Sequence, residues 1–455
     1  MSAVRHWFAW VFGGCLLLLA AIPAHAALSP QNVLVVVNTN SADSVAIGSF
    51  YTNLHPGASI VQIATTTSPS LLRSNFFSEI RDPIRSYLNS TAGLATQIVS
   101  IVTTRGVPHQ ITDPAGQGGD SVFMFQGTGT YSSVDSELTL LWQDMVAGPT
   151  FTNSSPANGA ILNPYYAAFS PIDAFSRNSI QTAKNWSGVV ISNGFLVFES
   201  PSSPFTGNNA FGFFTKGSEP VANQLTPGDL YLVTRLSGYS VTEVTNSIVR
   251  SQNIQVNKST DVIVLDKDAS NFDGGIYNNA SNILGTAGFT IRFDSTSVFV
   301  SNVPPGELVL SYSSYGNNSA FNPGPQYINN YLQFSYANGA IFNTYESFNG
   351  QEFNNPAHGT QGMVADFIKQ GGSLGFGHVF EPFTFAVANE DIYLTDLLLS
   401  GRTWAEAAYD SIFQLSWQNI VLGDPLATFS IIPEPSALAW LGMGLVLLIF
   451  RRRRA

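Results

Sequence analysis

The segment Asn32-Val33-Leu34-Val35-Val36-Val37-Asn38 is apolar on both sides of any strand it could form. A half-buried strand alternates apolar and polar residues. An unbroken β-branched run fits a strand covered on both faces, which is the condition of a parallel sheet. Parallel neighbours need a crossover between them, usually a helix. The following residues supply one. The spacing predicts a helix over 41–54, with Val45, Ile47, Phe50, Tyr51 and Leu54 roughly on one side. It predicts a second strand over 59–64 and a second helix over 70–88, with Phe76, Phe77, Ile80, Ile84 and Leu88 on its apolar face and a kink or restart at Pro83. A third buried strand is expected over 97–103. Strand and helix alternating in this way predict an α/β fold with a doubly wound layer.

The pattern weakens over 116–202, which is rich in Gly, Ser, Asn and Phe and reads as long loops carrying short helices, such as one over 135–143. It returns with strands expected over 229–235, 261–265, 290–293 and 307–312, the last running into Ser313-Ser314-Tyr315-Gly316. Helices are expected over 241–251, 272–284, 362–370 and 403–412. The third of these leads into Gly371-Gly372-Ser373-Leu374-Gly375-Phe376-Gly377-His378, which reads as a glycine-rich turn. The expectation is two doubly wound halves, over 27–255 and 256–430. No short repeat is visible. The halves could descend from a duplication that the letters do not show.

Both ends of the chain differ from this body. Arg5 and His6 precede an apolar run through Trp10, Phe12 and Leu16 to Ala21, then Ala24-His25-Ala26, a small-x-small cleavage site. That is the composition of a secretory signal peptide over 1–26, cut after Ala26, with an N-terminal membrane anchor as the alternative. At the other end, Pro433-Glu434-Pro435 is held out of helix by its prolines. Residues 436–450 carry no charge and suit a membrane helix, short for a full span of roughly 30 Å. Arg451, Arg452, Arg453 and Arg454 then favour the cytoplasmic side.

Removing the ends leaves about 400 residues, enough for one large or two ordinary domains. Nineteen Lys and Arg stand against thirty Asp and Glu in the chain; the ends take Arg5, the four terminal arginines and Glu434, which leaves 14 basic against 29 acidic side chains. So acidic a body does not suit nucleic acid, whose phosphates it would repel. The one cysteine, Cys15, lies in the signal segment. The bulky Leu16–Leu19 after it fit the middle of a signal core better than a lipidation site. The body therefore has no disulfide, no thiolate metal ligand and no cysteine nucleophile.

The order of Pro-Glu-Pro box, apolar stretch and arginine cluster resembles the PEP-CTERM sorting tail. That resemblance implies export through the Sec machinery, recognition and cutting by an exosortase-type transpeptidase, and a route from the inner membrane to the outer surface or matrix of a Gram-negative cell. An ordinary anchor helix would share the apolar stretch. Four further segments resemble an exported bacterial family, many of whose members carry this tail and to which no activity is attached: Ile80-Arg81-Asp82-Pro83-Ile84-Arg85-Ser86-Tyr87-Leu88, Thr103-Thr104-Arg105-Gly106-Val107-Pro108, Ser133-Val134-Asp135-Ser136-Glu137-Leu138 and Leu415-Ser416-Trp417-Gln418-Asn419-Ile420-Val421-Leu422-Gly423-Asp424-Pro425-Leu426. More remotely, the order of elements resembles the gingipain branch of the caspase-like peptidases. These have two α/β subdomains, a His-Gly pair after one strand and a Cys after the next. The matching places would be Tyr315-Gly316 and Gly375 to His378, where the histidine is replaced by tyrosine and the cysteine is missing. A caspase-like architecture without cysteine-peptidase chemistry is the expectation.

Two constellations remain. His378 and Glu381, three apart after the glycine run, could act as base and acid or hold a metal if both faced a cleft, at the end of a strand where α/β sheets place ligands. Equally, His378 could bond a loop and Glu381 cap a helix. Arg105, Asp135 and Glu137, with Arg81 or Arg85, could line a polar pocket or be an internal ion-pair network. His109 reads as an exposed loop residue, His358-Gly359 as a loop before a helix, Asp424 as a turn, and Trp404, Tyr409 and Trp417 as core. There is no phosphate-binding loop and no His-Glu-x-x-His signature. No metal or cofactor is expected. The function expected is a non-peptidase structural or binding module of the cell envelope, the alternative a hydrolase or metal-dependent enzyme centred on His378 and Glu381.

Overall fold

The structure, a computed structural model, describes residues 28–112, 132–142, 161–163, 165–167, 191–192, 195–196, 227–269, 273, 275–359, 361–382, 384 and 387–433. The signal segment, the tail from Glu434 onward and much of the loop-rich stretch lie outside these residues. Among the described residues no helix is long and apolar enough to cross a membrane.

Ten strands form one mixed sheet: β1 (Val33–Asn38), β2 (Ser59–Ile63), β3 (Ser100–Thr104), β4 (Leu232–Leu236), β5 (Asp261–Asp266), β6 (Ile291–Asp294), β7 (Leu308–Ser314), β8 (Tyr336–Thr344), β9 (Leu374–His378) and β10 (Asn419–Leu422). Their order across the sheet is β6-β5-β7-β8-β9-β10-β4-β3-β1-β2. Every neighbouring pair is parallel except β9 and β10, which run antiparallel with Phe376 opposite Val421. The sheet is thus two parallel five-stranded blocks pointing opposite ways. Within each block the strands cross in the same order: second, first, third, fourth, fifth. The likeness that the letters hide is present in the topology. The first block takes its fifth strand, β10, from near the end of the body, so it is not built from one continuous stretch.

Alternate residues of β1 explain its unbroken apolar run. Val33, Val35 and Val37 pack with Ile47 and Tyr51 of α1 (Ala42–Leu54), while Leu34 and Val36 face the opposite side with Ile84 and Leu88 of α2 (Asp82–Asn89). Ser41 starts α1 by accepting a hydrogen bond from Ser44 N at 3.2 Å. α3 (Val134–Leu138) lies with α2 on one face, and α4 (Val241–Arg250) joins α1 on the other. In the second block, α5 (Ile276–Thr286) and α7 (Glu390–Thr395) cover one face and α6 (Val364–Lys369) the other. α8 (Trp404–Ser411) puts Trp404 and Tyr409 in the core, where Trp417 is buried too.

Three expectations need correction. The helix expected over 70–88 begins as a short strand, Ser70–Leu72, paired with Gln110–Thr112. Its middle, Phe76–Arg81, is a π-helix, and α2 starts at Asp82 with Pro83 in its first turn. Proline has no N–H to give, so the wider turn falls where the ladder is interrupted. Second, β8 goes unseen because Gly339, at φ +77°, breaks its pattern. The register slips there: Val309 pairs with Tyr336 and Ser311 with Ile341, which marks a bulge. Third, the run Leu374–His378 is strand β9 and not a turn. Its glycines serve close approach, since a Cβ on Gly377 would lie 3.0 Å from the Cα of Gly350.

Candidate functional site

The carboxyl ends of β7, β8 and β9 meet at one edge of the second block. β7 runs into Tyr315-Gly316 and β8 into Tyr345-Glu346-Ser347. The fourth strand changes one sequence-based correspondence. The strand after Tyr315-Gly316 is β8, which runs into Tyr345-Glu346-Ser347, and not the strand that ends at His378.

Glu346 organises this edge. Its Oε1 accepts from Asn317 N at 3.0 Å and Gly362 N at 2.9 Å. Its Oε2 accepts from Thr344 Oγ1 at 2.8 Å and Tyr327 OH at 2.9 Å. Burial pushes this carboxyl up, and the four donors oppose that shift. Gly316, at φ +53°, presses against the same carboxylate: a Cβ there would lie 2.2 Å from Glu346 Oε2. The Tyr315 ring stacks on Tyr345 at 4.9 Å.

His378 is buried, 1 % exposed. Its backbone N–H donates to Asn349 Oδ1 at 2.7 Å, and its ring Nδ1 lies 2.9 Å from the carbonyl oxygen of Glu346. A carbonyl can only accept, so Nδ1 carries a proton. His378 and Glu381 line one cavity of about 110 Å³, together with Tyr345, Glu346, Ser347 and Asn318. Tyr345, Glu346 and His378 are buried, Ser347 and Glu381 half-buried, and Asn318 exposed at the rim. The sequence thus brings its two proposed chemical residues to one cavity. It missed Glu346 and Ser347 because it missed β8. The short run Ala340-Ile341-Phe342 ahead of a polar stretch was the only signal.

Arg105, Asp135 and Glu137 do not form one pocket. Each belongs to its own network. Asp135 is paired with Arg235: Nε donates to Oδ2 at 2.8 Å and Nη2 to Oδ1 at 2.6 Å, with both side chains 1 % exposed. Arg235 also donates to the carbonyls of Val107 and Pro108, and Thr103 Oγ1 donates to Asp135. Glu137 accepts from Arg73 at 2.9 Å and from Ser132 and Ser416 hydroxyls. Arg105 bonds Asp43 at 2.9 Å and the carbonyls of Gly238 and Phe353. Arg81 pairs with Asp82, and Arg85 donates to Leu141 O. These are the internal ion pairs that the sequence offered as the alternative to a pocket.

The other histidines among the described residues are also held inside. His109 is buried and not exposed as expected: it lies 2.8 Å from Gln351 O and edge-on to Phe353. Burial, aided by the charge of Arg235, lowers its pKa to about 3. His358 Nε2 lies 2.6 Å from Asp366, which also accepts from Tyr239 and Asn329. Asp424 accepts from Tyr51, Gln252 and the Leu426 N–H, and lies 2.9 Å from His55 Nε2. The Gly-Asp-Pro turn therefore clamps the return of the chain onto α1 and α4. Among the described residues no group of three or more His, Cys, Asp or Glu could hold a metal ion.

No protein-family model matches the chain, and no curated protein matches it. Among solved structures, the Saccharomyces cerevisiae separase–securin complex is similar at 12% identity and a TM-score of 0.23, over 44% of this chain and 14% of that one. So slight a likeness carries no argument about either chain. What stands on the structure is an α/β protein built on a large, mostly parallel sheet.

Proposed function

We propose that this chain is an exported cell-envelope protein whose body is a caspase-like binding module without peptidase chemistry. The tail supports the route: Sec export, retention by the apolar segment over 436–450, then recognition of Pro433, Glu434 and Pro435 by an exosortase-type enzyme, with Arg451 to Arg454 left inside. Delivery to the outer surface or matrix follows from that reading. The observation that carries the binding half is the cavity in which His378, Glu381 and Ser347 stand together, in a body whose sequence holds no cysteine.

Two experiments test it. Intact mass and C-terminal peptide mapping of the mature protein, with and without the sorting enzyme, should place the new end at or near 433–435. An end that still carries Arg451 to Arg454 in cells with the enzyme would overturn the route. For the body, the His378 ring signals should move when small polar probes are added. A second reading, hydrolysis, is favoured by His378 and Glu381 lining one cavity, where a base and an acid could act together. Ester turnover that disappears in His378→Ala and persists in His109→Ala would replace the binding reading with that one.

A further inference from the structure

We propose that the cavity at the carboxyl ends of β7, β8 and β9 takes a primary ammonium group, with Glu381 as its counter-ion. This deepens the binding reading of the same cavity and rests on it.

The charge balance of the lining points this way. Among the described residues no Lys or Arg lines the cavity. Of its two carboxylates, Glu346 is committed to four donors, described above. Glu381 has no hydrogen-bond or ion-pair partner among the described residues, although it is half-buried. A carboxylate partly withdrawn from water with nothing to accept is a group that gains from a donor carrying positive charge. Ser347 has no partner among the described residues either, and its hydroxyl oxygen can accept a second hydrogen bond.

An ammonium has three N–H donors and no acceptor, which matches a lining rich in acceptors. Carboxylate and phosphate ligands would meet Glu381 with like charge. A volume of about 110 Å³ admits the ammonium with its first carbons, and the exposed rim at Asn318 leaves the rest of the ligand outside. The acidic body adds a long-range pull on cations. Two sources share this chemistry: an amine-bearing side chain and an amino sugar.

The test uses the full mature chain and reads both calorimetry and the His378 ring signals. The probes are n-butylammonium and glucosamine, against n-butanol, glucose and acetate. At least one amine should bind, with its neutral counterpart and acetate at least tenfold weaker; which amine binds identifies the source. Glu381→Gln should weaken amine binding at least tenfold at unchanged thermal stability, and Glu381→Asp should restore part of it. Ser347→Ala should weaken it less. Neutral probes that bind as tightly as the amines, or amine binding that survives Glu381→Gln, would overturn the ammonium assignment and leave the binding reading standing. If no probe of either kind moves the His378 signals, both fall.

Discussion

Arg235 and Asp135 meet through two parallel hydrogen bonds while both side chains are only 1 % exposed. One lies on β4 and the other on α3, 100 positions apart in the sequence. The pair ties the centre of the first block to the loop after β3. Its partners satisfy the guanidinium on further sides, through Val107 O and Pro108 O.

Removing one member should leave an uncompensated buried charge. Asp135→Asn and Arg235→Met should each destabilise the body by about 3–5 kcal/mol, and the double apolar replacement should cost less than the two single changes added together. Urea unfolding followed by tryptophan fluorescence measures this. Fully additive losses would mean that the two residues do not act as a pair.

Gly316 and Gly324 form a matched test. Both have positive φ, +53° and +88°, but only Gly316 faces a close neighbour. Gly324→Ala should cost about 1 kcal/mol for backbone strain, and Gly316→Ala distinctly more because a Cβ meets the Glu346 carboxylate. Equal losses in thermal unfolding would show that the Glu346 cluster yields without cost.

Stability should be greatest in mildly acidic solution. Burial, with a hydrogen bond to Asp410, raises Asp396 to about 8 against the pull of Arg402. Burial raises Asp266 to about 7. A carboxyl that keeps its proton in the folded state contributes stability that is complete below about pH 4, and that contribution is lost as pH rises through 7 to 8. His109, lowered to about 3, acts in the opposite sense: its contribution is complete above about 6.5 and is lost as pH falls toward 3. Two carboxyls outweigh one histidine between about pH 4 and 6.5, so melting temperatures measured from pH 3 to 9 should pass through a maximum near pH 4. Asp396→Asn should flatten the alkaline side. An unchanged alkaline slope in that variant would assign the loss to other groups.

Deleting 433–455 should release the protein to the medium, because the Pro-Glu-Pro box and the segment after it are the retention signals that the sequence offers. Cell fractionation of the truncated form decides this. Truncated protein still sedimenting with membranes would place retention in the body.

The legible parts of this protein were those whose pattern is local. β1 is covered on both faces, and its valines say so directly. Ser41, Ser240 and Thr403 announce the starts of α1, α4 and α8 as capping residues. Two kinds of feature were not legible. Glycines with a tertiary purpose look like turns, which hid β8 and disguised β9. Partners far apart in sequence, such as Asp135 with Arg235 or Glu346 with Tyr327, leave no local mark. His378 and Glu381 were found because three-residue spacing is itself local; Ser347 was lost with the strand that delivers it.

The antiparallel seam between β9 and β10 also sets an order of assembly. The first block opens with residue 33, yet the strand that completes it is Asn419–Leu422. Until that strand arrives, β4 has an unpaired edge, and β9 has one on the other side of the gap. A chain that emerges amino end first can stack α1, α2 and α4 against the early strands, but it cannot close its sheet until nearly the whole body is out. The late-coming strand acts as a keystone. Losing that strand would leave an unpaired edge on each block at once.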